Sequence, residues 1–268
     1  MFAKFNLLLV KDNLTWNEDY YEIGLGIYTK QKQRVSSTLD NYLSYDGSFD
    51  GSKIESDWFP QINANVFLSH SHQDEKAVIC LAGFLYHTYG ITSFIDSTVW
   101  GYADKLLKQI DDRYCVQTKK TSGGYIYDYN KRNHSTSHVH LMLQGALAKM
   151  INRCECLIFV NTPNSLNTKD IGKEDSTSSP WIYSELLMAT TFPARNPDDY
   201  GILKSYSSVH FEHCDLNIKY KVNLADLQDI TLDEIEMAAT KVGSQRAREV
   251  LNQLYLDKKL IIPDTEGK

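Results

Sequence analysis

Glu185 stands four residues after Trp181 in the stretch Ser179-Pro-Trp-Ile-Tyr-Ser-Glu185. Ser179 and Pro180 form an N-cap and first-turn pair, so the spacing predicts a helix from Pro180 to about Thr191. On that helix Trp181 and Glu185 are i and i+4 and share one face, one turn above the start. If that face meets the ends of a sheet, a carboxylate sits beside an aromatic wall, where it stabilises positive charge developing on a substrate. Two plain readings compete with this one. A helical Glu is ordinarily a solvated surface residue, and a Trp near a helix start serves as a core anchor as readily as a ligand wall. A hydrolase using paired carboxylates needs a second acid in register, and none stands out.

Ser69, His70 and Ser71 close a short apolar run, Val66-Phe-Leu68. Such a run is the pattern of a buried parallel strand, and the polar triplet then either caps the strand end or touches a bound nucleotide. Trp100 and Tyr102, in the expected loop after a second strand (Ile91–Ile95), either stack on a ligand ring or pack against a partner chain. His70-Ser-His72, His134, His138-Val-His140 and Cys154-Glu-Cys156 invite a metal reading. None shows the usual zinc spacing, so no metal is expected. Gly24-Leu-Gly26 is too short for a dinucleotide fingerprint, and no P-loop appears.

The elements that must position these residues alternate. A strand at Val66–Leu68 is followed by a helix from Asp74 and Glu75 to Tyr89, with Val78, Leu81 and Leu85 at helical spacing and Gly90 as its stop. Ile91–Ile95, closed by Asp96, is the second strand, and Ala103–Tyr114 a second helix. A polar, Tyr-rich stretch from Thr118 to Ser137 reads as a long loop, an insertion at about 115–138. A helix over Val139–Ile151, a strand at Cys156–Val160 and the Pro180 helix follow. Val209–Phe211 and Leu216–Leu224 are strand-like, and Thr231–Tyr255 reads as one C-terminal helix. Residues 1–60 form an N-terminal extension with an edge strand at Phe5–Val10, a second patterned stretch at Tyr21–Tyr28 and a turn-rich linker at 44–52. Trp58, Phe59 and Pro60 dock it onto the domain at 61–268. This order predicts an α/β fold, flavodoxin-like, with an open parallel sheet, helices on both faces and ligands at the carboxyl ends of the strands.

Composition narrows the function classes. The chain is 42% hydrophobic and 12% aromatic, enough for a packed core. Its net charge is −6 and its longest basic patch is Lys119-Lys120, which disfavours nucleic-acid binding. No run approaches the ~18 apolar residues of a membrane span, and the first ten residues lack the form of a secretory signal. Five cysteines without framework spacing fit a reducing cytoplasm.

Asn65-Val-Phe-Leu-Ser-His-Ser71 followed by Asp74 resembles the first box of TIR (Toll/interleukin-1 receptor) domains. Ser179-Pro-Trp-Ile-Tyr-Ser-Glu185 resembles the helix that carries the glutamate of NAD-cleaving members. The resemblance covers roughly residues 62–225 and is closest to bacterial TIR proteins of the antiphage type. Asp96-Ser-Thr-Val-Trp-Gly-Tyr102 departs from the Arg-Asp and Pro-Gly pattern of animal receptor adaptors. The resemblance implies a TIR fold and an NAD⁺ nucleosidase with Glu185 catalytic and Trp181, Ser69, His70, Ser71, Trp100 and Tyr102 around the substrate. It implies NAD⁺ as substrate with no separate cofactor, and ADP-ribose or a cyclic isomer as product. It also implies self-association through TIR–TIR contacts and a downstream effector that senses the nucleotide. The other readings are a non-catalytic TIR scaffold and an N-glycosidic transferase acting on nucleosides.

Overall fold

The structure is a computed structural model that describes residues 1–9, 17–32, 39–120, 123–166, 176–192, 220–222 and 224–260. Its strands are β1 (Ala3–Leu8), β2 (Val66–Ser69), β3 (Ser93–Ile95), β4 (Val116–Lys119), β5 (Tyr125–Tyr127), β6 (Cys156–Asn161), β7 (Ser176–Thr177), β8 (Tyr220–Lys221) and β9 (Gln228–Ile230). The helices are α1 (Glu18–Lys32), α2 (Gly51–Trp58), α3 (Glu75–Tyr89), α4 (Ser97–Ile110), α5 (Tyr129–Arg153), α6 (Pro180–Thr191), α7 (Leu232–Val242) and α8 (Ala247–Asp257).

Five strands form one sheet in the order β3-β2-β6-β1-β9, and every neighbouring pair is parallel. Alternation along each strand divides its side chains between two cores. Phe67, Leu157 and Phe159 join the core that holds residues of α2, α4, α5 and α6. Val66, Leu68, Ile158 and Val160 join the core with residues of α1, α3, α7 and α8. The result is an α/β architecture with a parallel sheet flanked by helices, compatible with a flavodoxin-like fold. Among the described residues, no helix is long and apolar enough to cross a membrane.

The first strand corrects an expectation. Phe5–Val10 was expected at an edge, but β1 is an inner strand, with Phe5 opposite Ile158 of β6 on one side and Gln228 of β9 on the other. The reason lies in the row Ala3, Phe5 and Leu7, all buried in the second core, while Lys4 and Asn6 fill the alternate positions and make the strand read as half-exposed. Residues of the N-terminal sixty enter both cores: Tyr28 packs with β1 in one, and Leu39, Tyr42, Ile54, Trp58 and Phe59 in the other. The stretch Tyr21–Tyr28 lies inside α1.

Helix α3 matches its expected ends, with Gly90 at φ 66° closing it in the left-handed region. Helix α4 starts at Ser97, six residues before the expected Ala103. The chain turns straight from β3 into the helix, where Thr98 Oγ1 donates to the Ile95 carbonyl at 2.7 Å and Val99 N to the Asp96 carbonyl at 3.1 Å. The expected loop at Thr118–Ser137 is the antiparallel hairpin β4–β5 followed by the first turns of α5. Asp128 caps α5 by accepting from Lys131 N, and the polar run before Val139 hides the helical period. The single C-terminal helix is two, broken at Gly243 with φ 61°. Val209–Phe211 and most of Leu216–Leu224 lie outside the described residues.

Candidate functional site

From β2 the chain passes through α3 to β3 on one side, then to β6 on the other. The carboxyl ends of β2 and β6 therefore flank the point where strand order reverses, the usual ligand crevice of open parallel sheets. Ser69 and His70 emerge there. Across the crevice, Thr162 Oγ1 and Asn164 Nδ2, beyond β6, donate to the two oxygens of Asp74 at 2.5 and 2.7 Å, tying the two loops together.

Helix α6 brings Glu185 to the same place. Ser179 caps it by accepting from Ile182 N, and Pro180 opens its first turn. Glu185 is wholly buried, and its Oε2 accepts a hydrogen bond from Ser69 Oγ at 2.6 Å. Beside it lies Asp96, also wholly buried, at the carboxyl end of β3. Asp96 Oδ1 stands 2.6 Å from Nδ1 of the buried His70, an ion-pair contact off the line of a good hydrogen bond. Three ionisable side chains from β2, β3 and α6 thus share one enclosed cluster.

Burial and then the charge of Asp96 push the Glu185 carboxyl well above the usual carboxylate range, against the Ser69 hydrogen bond. For His70 burial is the largest single influence and works against the charged ring, yet the charge and hydrogen bonding of Asp96, the Leu68 carbonyl and the charge of Glu75 together raise the imidazole above its ordinary value. Both shifts favour the protonated forms, a neutral Glu185 and a charged His70 beside Asp96. His70 Nε2 and Trp100 Nε1 are buried without a hydrogen-bond partner among the described residues. Each such atom costs about 1–3 kcal/mol. Groups kept at that cost, with perturbed ionisation and at strand ends, mark a functional site more often than a structural one.

Aromatic rings extend from the cluster. The His70 and His72 rings lie 6.0 and 5.3 Å from Trp100, Trp100 lies nearly parallel to Trp181 at 6.4 Å, and His140 meets Trp181 edge-on at 5.5 Å. Ser69, His70, Trp100, Trp181 and Glu185 are thus together. Trp100 and Tyr102, expected in a loop, are on α4, because that helix starts at Ser97. Tyr102 turns into the first core, away from the Trp100 stack, with Lys105 Nζ 5.8 Å from its ring. Ser71 caps the short turn before α3 by accepting from Gln73 N.

Asp96 is the residue that sequence reasoning passed over, having read it only as the close of a strand. The signal was present: a carboxylate at the carboxyl end of a parallel strand, the rule that had singled out Ser69 and His70. The i, i+4 pair His134 and His138 was also overlooked; their rings meet at 4.6 Å on α5. Among the described residues no group of three His, Cys, Asp or Glu side chains is placed to hold a metal ion. Comparison with protein-family models, with curated proteins and with solved structures found no match.

Proposed function

We propose that the chain is a TIR-type NAD⁺ nucleosidase that breaks the bond between nicotinamide and ribose. The observation that carries this reading is the buried Glu185 carboxyl, held by Ser69 beside Asp96 at the carboxyl end of the sheet. Nicotinamide in NAD⁺ is already a cation, so it departs as a neutral molecule with the bonding electron pair and needs no proton. The demanding species is the oxocarbenium-like ribose left behind. A carboxylate held against it is worth most in a water-poor site.

Burial and Asp96 favour the protonated form of Glu185, and a cation close to it favours the ionised form. Approach of the positively charged nicotinamide ring therefore favours loss of the Glu185 proton to solvent and arms the carboxylate where it is needed. His70 offsets part of the Asp96 charge, which lessens the opposition of the second carboxylate to that ionisation. The faces of Trp100 and Trp181 suit a cationic ring. Water adding to the ribose cation gives ADP-ribose and a proton; a nucleophile from the same molecule gives a cyclic isomer.

A second reading, a TIR scaffold that assembles without turnover, is favoured by the complete enclosure of Glu185 and Asp96. Incubation of the purified chain with NAD⁺ separates the two. The enzymatic reading expects nicotinamide release by the wild type and a loss of at least a hundredfold in Glu185→Ala, and the scaffold reading expects none from either protein.

A further inference from the structure

A hollow of about 920 Å³ lies away from the Glu185 cluster. One wall is N-terminal chain, from Leu39, Phe49 and Ile54; the floor is Ile110 with the turn that ends α4; the other wall is the first half of α5, down to Met142. That floor, Asp111–Cys115, is a π-helical turn, a widened backbone that recurs at functional positions. Its volume falls within the range of small-molecule sites, which are mostly apolar with a few convergent polar groups.

The charged lining group is a cation. Lys131 lines one edge with His134 and His138 along a single face of α5, and no Asp or Glu is among the lining residues; burial and the neighbouring His134 lower the His138 pKa, so that ring meets an anion as a neutral N–H donor. The neighbouring carboxylates are already engaged: Asp111 by Arg132 and Ser135, Asp40 by Arg113, and Glu55 by Lys149. An apolar trough with a basic edge and no acid among its lining residues matches an apolar body carrying one negative charge.

We propose that this hollow is a binding site for an amphipathic monoanion, a carboxylate joined to an aliphatic or aromatic body. The body covers Leu39, Phe49, Ile54 and Met142, and the carboxylate meets Lys131 and the two imidazoles. The same helix touches the Glu185 site from its other side, through His140 on Trp181 and through Gln144, which accepts from Ser184 Oγ at 3.0 Å. An occupant therefore braces the helix that supports the Trp181 wall.

Titration calorimetry of the full chain with decanoate and with decyltrimethylammonium, both below micelle formation, tests the site independently of any turnover. The expected result is one-to-one binding of decanoate, no saturable binding of the cation, and at least a tenfold weaker decanoate affinity in the double variant Lys131→Glu/His134→Glu. Both positions are exposed, so the variant should keep the wild-type melting temperature. Absence of decanoate binding, equal binding of the cation or unchanged affinity in the folded double variant overturns the proposal. So does a concentration-dependent dimer that the double variant abolishes, which assigns the trough to a second copy of the chain.

Discussion

At the scale of single residues, Glu185 is held where an ionised carboxylate is least stable. Its folded pKa is raised above the ordinary 4.5, so its contribution to stability is full below that pH and is lost as pH rises through the folded value. His70 behaves alike, raised above 6.5, with its contribution lost as pH rises through its own folded value. Both shifts make the fold weaken on the alkaline side. Glu185→Gln keeps the acceptor for Ser69 and removes the ionisation. Thermal unfolding should therefore show the variant melting above the wild type at pH 8, by roughly 2–4 °C per kcal/mol relieved, with the gap closing towards pH 5. A gap independent of pH would mean that Glu185 is not the titrating group. The same ionisation predicts that nicotinamide release rises with pH through a range above that of ordinary carboxylates.

At the scale of elements, α1 and α3 cross with almost no space between backbones. A Cβ on Gly24 would lie 1.8 Å from the Ile79 carbonyl oxygen, and one on Gly83 1.8 Å from that of Tyr20. The Gly24-Leu-Gly26 pair is thus partly a packing device, and only Gly24 makes the close approach, because Gly26 has nothing within 4 Å. Denaturant unfolding should show Gly83→Ala destabilised by about 3 kcal/mol or more, since backbone cannot give way as a side chain can. Gly26→Ala on the same helix should gain roughly 0.5–1 kcal/mol. Equal effects of the two substitutions would refute this crossing. Elements with a full apolar period and a stop residue were legible from sequence: β2, α3, β6 and α6 fall within a residue or two of expectation. What was not legible had a shared cause. β9 has three residues, the start of α5 is polar, and the start of α4 has no capping side chain to announce it. The Glu185–Trp181 face was readable because one helix carries both. The pairing of Glu185 with Asp96 was not, since it depends on bringing β3 against α6 from 89 positions away (185 − 96).

At the scale of the molecule, the chain's first strand completes a sheet whose other members all come after residue 65. β1 pairs with both β6 and β9, and Asn6 bridges the two through Asn161 and Asp229. Removing residues 1–60 takes away an inner strand and parts of both cores, rather than a detachable arm. The truncated chain should lose cooperative thermal unfolding by circular dichroism and should sediment as aggregate. A truncated protein that melts cooperatively near the full chain would show that the sheet closes without β1.

On the proposed function, one enclosed carboxyl group both burdens the fold and breaks the glycosidic bond. Chromatography of products formed from NAD⁺ at pH 8 by the wild type and by Glu185→Gln tests it most directly. The expected result is nicotinamide together with ADP-ribose or a cyclic isomer from the wild type, and at least a hundredfold less from a variant that is folded and more heat-stable. A folded Glu185→Gln protein that releases nicotinamide at the wild-type rate, or a wild type that leaves NAD⁺ intact, would contradict it.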